Sequence, residues 1–172
     1  MKPFKRIKNQ AISRLLSYSA YLKKKFIESI ETREIEGIPW TPLKKPIAEC
    51  KVALITTAGI HHKDQPPYDM MDNNGDSTFR MVDSTRPISS LLITHDYYNH
   101  SDADKDINIV FPIERLKELE AEGIVGETAQ THYGFMGHIK GPHVQTLIER
   151  RAPEVIAGLK NDSIDVVLLT PG

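Results

Sequence analysis

One cysteine, Cys50, is the only thiol in this 172-residue chain. That rules out an internal disulfide framework and a cysteine-based zinc site, and it suits a reducing, cytoplasmic setting. No apolar run approaches the roughly 20 residues needed to span a bilayer, and no stretch reads as a secretory hydrophobic region with a small-residue cleavage site. G-x-G-x-x-G, Walker A and G-x-S-x-G are all missing, so three common chemistries lack their usual signal. A net charge of −1 leaves no overall basic footprint, and no nucleic-acid partner is expected. The length suits one domain with an appendage.

A local absence is more telling. Residues 1 to 27 contain no Asp or Glu but eight Lys/Arg, so the remainder carries 14 bases against 23 acids. Within this stretch Phe4, Ile7, Ala11, Leu15, Leu22 and Phe26 recur at helical spacing, which predicts a basic amphipathic helix over residues 1–36. Its apolar face is expected to meet the chain's own domain, a partner subunit or a membrane surface. Residues 37–50 follow as a linker in which Pro39, Pro42 and Pro46 forbid a helix. Separation by this linker predicts that the helix stands apart from any catalytic cleft. The body is then residues 51–172.

Two segments of the body echo each other. "VALITTAG" (52–59) and "VVLLTPG" (166–172) are each an aliphatic strand followed by Thr, a small or turn-forming pair, and Gly. Helical patterns lie between them: "IERLKELEAEG", with Pro112 at its first position and Gly123 as its stop, and a long period from Pro142 to Leu159 that runs through Pro153 as a kink or a junction. This is the pattern of α/β architecture, and the fold expected is a parallel-sheet, Rossmann-like three-layer domain, incomplete at its C-terminus. Both strand ends should open on one edge of the sheet, with Thr57, Gly59 and Thr170 as neighbours and His61 facing the same cleft. "DVVLL" is continuously aliphatic and predicts cover on both faces. Residues 60 to 90 show little periodicity, and "KDQPPYDMMDNNGDSTF" (63–79) reads as a long loop, "SSLLIT" as a short strand, "INIVFP" as a strand or extended lead-in, and "HYGFMGH" as turns.

The seven histidines gather on the segments that follow strands. His61 and His62 come after the first turn and His95 after "LLIT", while His100, His132, His138 and His143 fall in predicted loops. Such positions suit acids, bases or ligands, although polar loop residues with no special role are the plain alternative. "THDYYNHSDADKD" offers His95, Asp96 and His100 for a metal-dependent hydrolase or lyase. Its aspartates imitate the start of an EF-hand, but Ile107 stands where Gly is required and Ile113 where Glu is required. Turn and helix capping is the simpler use of those aspartates. A non-catalytic small-ligand module is a further alternative.

Five stretches carry a resemblance: "VALITTAGIH", "GDSTFR", "THDYYNHSDADKDINIVFPIERLKELEAEGIVG", "HYGFMGHIKGPH" and "DVVLLTPG". In this order they resemble the selenoprotein B family of glycine, sarcosine, betaine and D-proline reductases. The resemblance implies reductive cleavage of a C–N bond in a small amine or amino acid. It implies a selenolate that attacks the activated carbon and is reset by thiols from a thioredoxin-like reductant, and a partner subunit whose pyruvoyl group engages the amine. The expected lining of the substrate site is Thr57, His61, His95, His132, His138, Thr170 and Gly172, with no metal and no cofactor held by this chain. In the family a selenocysteine, or a cysteine replacing it, comes directly after a T-x-G turn, which here is Thr170-Pro171-Gly172. The expectation is therefore an in-frame UGA after the Gly172 codon, with coding sequence beyond it, and a chain that is inactive alone.

Overall fold

The computed structural model of the protein describes residues 2–28, 37 and 41–172. The boundary expected at residue 36, and Pro39 of the linker, lie outside the described residues. Helices α1 (Lys2–Tyr18) and α2 (Ala20–Glu28) form the basic segment. The body begins with β1 (Lys51–Thr56), which is the central strand of a curled, mostly parallel sheet. Along one side β1 pairs in parallel with β7 (Val166–Thr170), from Val52↔Val166 to Thr56↔Thr170. Along the other side it pairs in parallel with two short strands in turn, β5 (Glu127–Thr128) and β6 (Thr131–Gly134). The outer neighbour of β6 is the antiparallel β3 (Arg80–Asp83). A separate antiparallel pair joins β2 (Ile60–His62) to β4 (Leu91–Ile93).

Alternation along β1 divides the core. Val52 and Leu54 point into a cluster with Val82, Phe111 and two residues of α3 (Ile113–Ala121), Ile113 and Leu116. Ile55 points the other way, with Tyr133 and Phe135, toward Val155 and Leu159 of α5 (Ala152–Asn161). Period-two alternation places helices against both faces of the strand. The helical period from Pro142 is continuous: α4 (Pro142–Thr146) passes through a π-helical turn at Leu147–Arg151 into α5. Pro153 has no N–H to give, and the wider turn before it absorbs that loss, which is why the apolar register survives.

Several local expectations are corrected. The loop expected over 63–79 is strand-free and is bounded by β2 and β3, while "HYGFMGH" starts inside β6, so His132 is a strand residue; His143 lies in α4. "INIVFP" begins as a 3₁₀ turn, Ile107–Ile109, capped by Asp106, whose carboxylate accepts the Asn108 N–H at 3.0 Å. Pro112 is the cap of α3 rather than its first residue. "DVVLL" is an edge strand, and Leu168 and Leu169 are exposed rather than covered. β2, β3 and β6 are three or four residues long, too short for periodicity to declare them.

Candidate functional site

Parallel pairing delivers three strand ends to one edge. Thr57 N–H donates to the Thr170 carbonyl at 3.0 Å, and Phe135 N–H to the Thr56 carbonyl at 2.8 Å. The hydroxyls of Thr56 and Thr170 both donate to the Val110 carbonyl, at 2.9 and 2.8 Å. Gly172 N–H donates to Thr57 Oγ1 at 3.2 Å, and a Cβ on Gly172 would lie 2.5 Å from the Ala58 Cα. The turn after β7 is thus pressed against the turn after β1. Gly59 joins a third turn to these: its N–H donates to the Phe135 carbonyl at 2.8 Å and its carbonyl accepts from Thr94 N–H at 2.9 Å. A groove of about 560 Å³ opens beside Thr57 and Gly137, walled by Ile55, Phe135, Leu147 and Leu169.

His95 follows the Thr94 contact. It is buried, its Nδ1 accepts the Tyr97 N–H at 3.1 Å, and its ring packs edge-on against Tyr98 with centroids 4.7 Å apart. Because Nδ1 is an acceptor, the neutral ring carries its proton on Nε2. Burial pushes its pKa down to about 4, assisted by His138 and His100 nearby. The Tyr98 hydroxyl in turn donates to the Ala58 carbonyl at 3.2 Å, tying this loop to the β1 turn. His138 stacks on Tyr97 at 3.7 Å between centroids, and its Nε2 donates to the Asn73 carbonyl at 3.2 Å. Thr57, Thr170 and Gly172 meet at the strand edge, the Gly59 and Tyr98 bonds tie the His95 loop to the β1 turn, and His138 packs on Tyr97 of that loop.

The other two expected lining residues go inward. His61 donates from Nδ1 to the His62 carbonyl at 2.8 Å and accepts the Thr94 hydroxyl on Nε2 at 2.8 Å. Both its nitrogens are committed inside the β2–β4 pair. His132 is fully buried at mid-strand, where its Nδ1 accepts the Leu54 N–H at 2.8 Å. The ladder on this side of β1 is interrupted between β5 and β6, and the imidazole supplies the acceptor that a strand carbonyl would have provided. His132 is a filler of the sheet in this structure, not a wall of the cleft.

The alternative metal set is dispersed. His95 holds the Tyr97 N–H, Asp96 is taken by two side chains of α1, and His100 Nδ1 pairs with Asp104 at 2.8 Å. Among the described residues no group of three or more His, Cys, Asp or Glu side chains is placed to hold a metal ion. Cys50 is buried at the amino end of β1, away from the strand-end turns, with its Sγ 3.3 Å from the Pro46 carbonyl.

The sequence reading did not anticipate the role of α1. Arg6 forks onto the fully buried carboxylate of Asp96, with Nε to Oδ2 at 2.9 Å and Nη2 to Oδ1 at 3.1 Å, and Gln10 Nε2 adds a bond at 2.9 Å. Lys5 donates to the Met71 carbonyl at 2.6 Å, and Ser17 accepts from Asn99 at 3.2 Å. The helix therefore seats its polar face on the His95–Tyr97 loop instead of standing apart. The signal was present in the sequence: Asn9, Gln10, Ser13 and Ser17 make a polar face of short side chains, unlike the long charged residues of a solvated face.

The buried histidines set a pH dependence. Both His95 and His132 have pKa values lowered to about 4 from an ordinary 6.5, mainly by burial. The unfolded chain therefore takes up protons first, so stability is full above about pH 6.5 and is lost as pH falls from there toward 4. At about 1.36 kcal/mol per pH unit the loss approaches 3 kcal/mol for each ring. Melting curves between pH 7 and 4.5 should show the unfolding temperature falling, with a shallower fall in His132→Gln. A flat wild-type profile would contradict this account.

A family model described as glycine/sarcosine/betaine reductase selenoprotein B matches residues 7–172. Among curated proteins, the D-proline reductase subunit gamma of Acetoanaerobium sticklandii is 35% identical over 133 residues, covering 77% of this chain and 53% of that protein. Glycine reductase complex component B subunit gamma of Carboxydothermus hydrogenoformans is 26% identical over 149 residues, covering 84% and 33%. Sarcosine reductase complex component B subunit beta of Peptoclostridium acidaminophilum is 30% identical over 98 residues, covering 55% and 22%. The chain spans about half the length of the first of these and a third or less of the others. No solved structure matches it.

Proposed function

The chain belongs to the glycine/sarcosine/betaine reductase selenoprotein B family, and on that premise we propose that it forms the strand-edge half of a reductase site that cleaves a C–N bond in a small amine or amino acid. The observation that supports this reading is the in-register parallel pairing of β1 with β7, which packs the Thr170-Pro171-Gly172 turn on Thr57 and Ala58. In the family a selenocysteine, or a cysteine, follows such a turn. A chalcogenolate there would attack the substrate carbon as the C–N bond breaks, the amine would leave with a proton, and thiols would then release the carbon product and restore the nucleophile.

On this reading His95, buried with its remaining N–H toward the Met136 carbonyl, orders the loop beside the Gly59 turn, and His138, held by Asn73 and Tyr97, leaves its Nδ1 as an acceptor. Neutral rings suit this edge, since a cationic histidine would repel an ammonium substrate. His61 and His132 act behind them, holding the turn and the strand. A Rossmann-like layered arrangement, a pyruvoyl-bearing partner subunit, a thioredoxin-like reductant and a cytoplasmic setting belong to the same proposal. It draws support from relatives named as subunits or components of reductase complexes.

The test is turnover. The protein, assembled with its partner subunits, should consume D-proline, glycine, sarcosine or betaine in the presence of a dithiol. Gly172→Val, whose side chain would collide with the Ala58 backbone 2.5 Å from its Cβ, should lower turnover by at least about tenfold. Failure of the assembled complex to consume any of the four, or turnover indifferent to that replacement, would overturn the reading.

A further inference from the structure

Helix α1 is packed inside out. Phe4, Ile7, Leu15 and Tyr18 share one face at 3.6 residues per turn, and they are 74%, 62%, 59% and 86% exposed. The opposite face, with Arg6, Gln10 and Ser13, lies on the protein. An amphipathic helix on a soluble domain ordinarily buries its apolar stripe in the core. Here the buried Asp96 pair anchors the helix by its polar side, so the stripe is held outward.

We propose that this outward face of α1 docks on an anionic lipid surface. The argument is one of charge as well as apolarity. By helical spacing Lys8 and Arg14 fall on the two borders of the stripe, residues 1–27 contain no acid, and the exposed Tyr21, Lys23, Lys24 and Lys25 follow in α2. With the stripe seated at the level of the headgroups, Lys and Arg stems reach back to phosphates, and tyrosine hydroxyls stay at the boundary. A second copy is a poorer occupant. A symmetric stripe-to-stripe contact would set two basic helices together with no acid in either to offset them. A lipid surface spreads negative charge along the whole basic border, and apolar insertion plus basic attraction are the two signals that interfacial helices combine. Among the described residues no helix is long and apolar enough to cross a membrane, so the helix lies on the surface. Because the lipid-facing stripe and the Asp96-facing side are opposite, the strand-edge turns remain on the water side. The proposal does not depend on the reductase reading.

Co-sedimentation with vesicles tests it. The full chain should bind vesicles of equimolar phosphatidylcholine and phosphatidylglycerol, bind phosphatidylcholine alone far less, and be released by salt. Lys8→Gln and Arg14→Gln should each weaken partition about fivefold. Ile7→Glu and Leu15→Glu should abolish it while leaving the melting temperature unchanged, since both side chains point to solvent. Tyr18→Trp, which keeps the stripe apolar, should shift its emission to the blue on anionic vesicles, and this readout stands even if the Glu variants fail to fold. No binding to the anionic vesicles would overturn the proposal. So would a dimer in sedimentation that Leu15→Glu splits, with vesicles left unbound, which would assign the stripe to a protein interface.

Discussion

Arg6→Ala lowers the unfolding temperature by roughly 4–8 °C, the shift expected for about 2 kcal/mol in a chain of this size. The reason is Asp96. Its carboxylate is fully buried and faces two donors from α1, the Arg6 fork and Gln10. Removing the guanidinium strands a buried charge, and hydrogen bonds to charged groups are worth roughly 1.5–3 kcal/mol. The lower part of that range applies because the Arg6 side chain is half exposed and water can follow the truncation. A second substitution separates this from simple loss of packing. Asp96→Asn placed in the Arg6→Ala protein removes the stranded charge and should recover part of the loss. Arg6→Lys keeps the charge without the fork and should fall between. An Arg6→Ala protein that melts within a degree of wild type would show that the pair contributes nothing, and that α1 is only loosely held. Deleting α1 should therefore disturb the His95–Tyr97 loop, contrary to what the proline-rich linker suggests.

Gly59→Ala should be costlier, at about 3–4 kcal/mol from backbone strain together with overpacking. Gly59 has φ of 77°, and an added Cβ would stand 2.5 Å from the Thr94 carbonyl oxygen and 3.1 Å from the His95 Cβ. A backbone atom cannot rotate away as a side chain does. Gly123 provides the control: its φ is 72°, yet nothing lies within 4 Å of its would-be Cβ. Gly123→Ala should cost only the left-handed penalty, roughly 1 kcal/mol. The difference between the two variants isolates the close approach that joins the β1 turn to the His95 loop. Equal losses in denaturant melts would mean the turn yields, and that the three strand-end turns do not form a rigid unit.

Much of the scaffold was readable along the chain because its signals are local. "VALITTAG" and "VVLLTPG" are aliphatic runs ended by small residues, and they pair in parallel as β1 and β7 with their turns together. α3 stops at Gly123, and the helical period from Pro142 continues through Pro153, as hydrophobic spacing and φ preference require. The contacts of Thr57, Thr170 and Gly172 were likewise within reach of the sequence, because these residues end or follow the two matching strands.

Tertiary structure alone decided which histidines look outward and which face of α1 is buried. His61 and His132 are the same residue type as His95 and His138, and they differ only in what lies opposite: a carbonyl and a hydroxyl for His61, a gap in the ladder for His132. In α1 the apolar stripe was plain in the sequence, but its direction was set by Asp96, 90 positions away from Arg6. Hydrophobic spacing says that a helix has two faces. It takes a buried carboxylate brought close by the rest of the fold to give the polar face the partner that holds it on the protein.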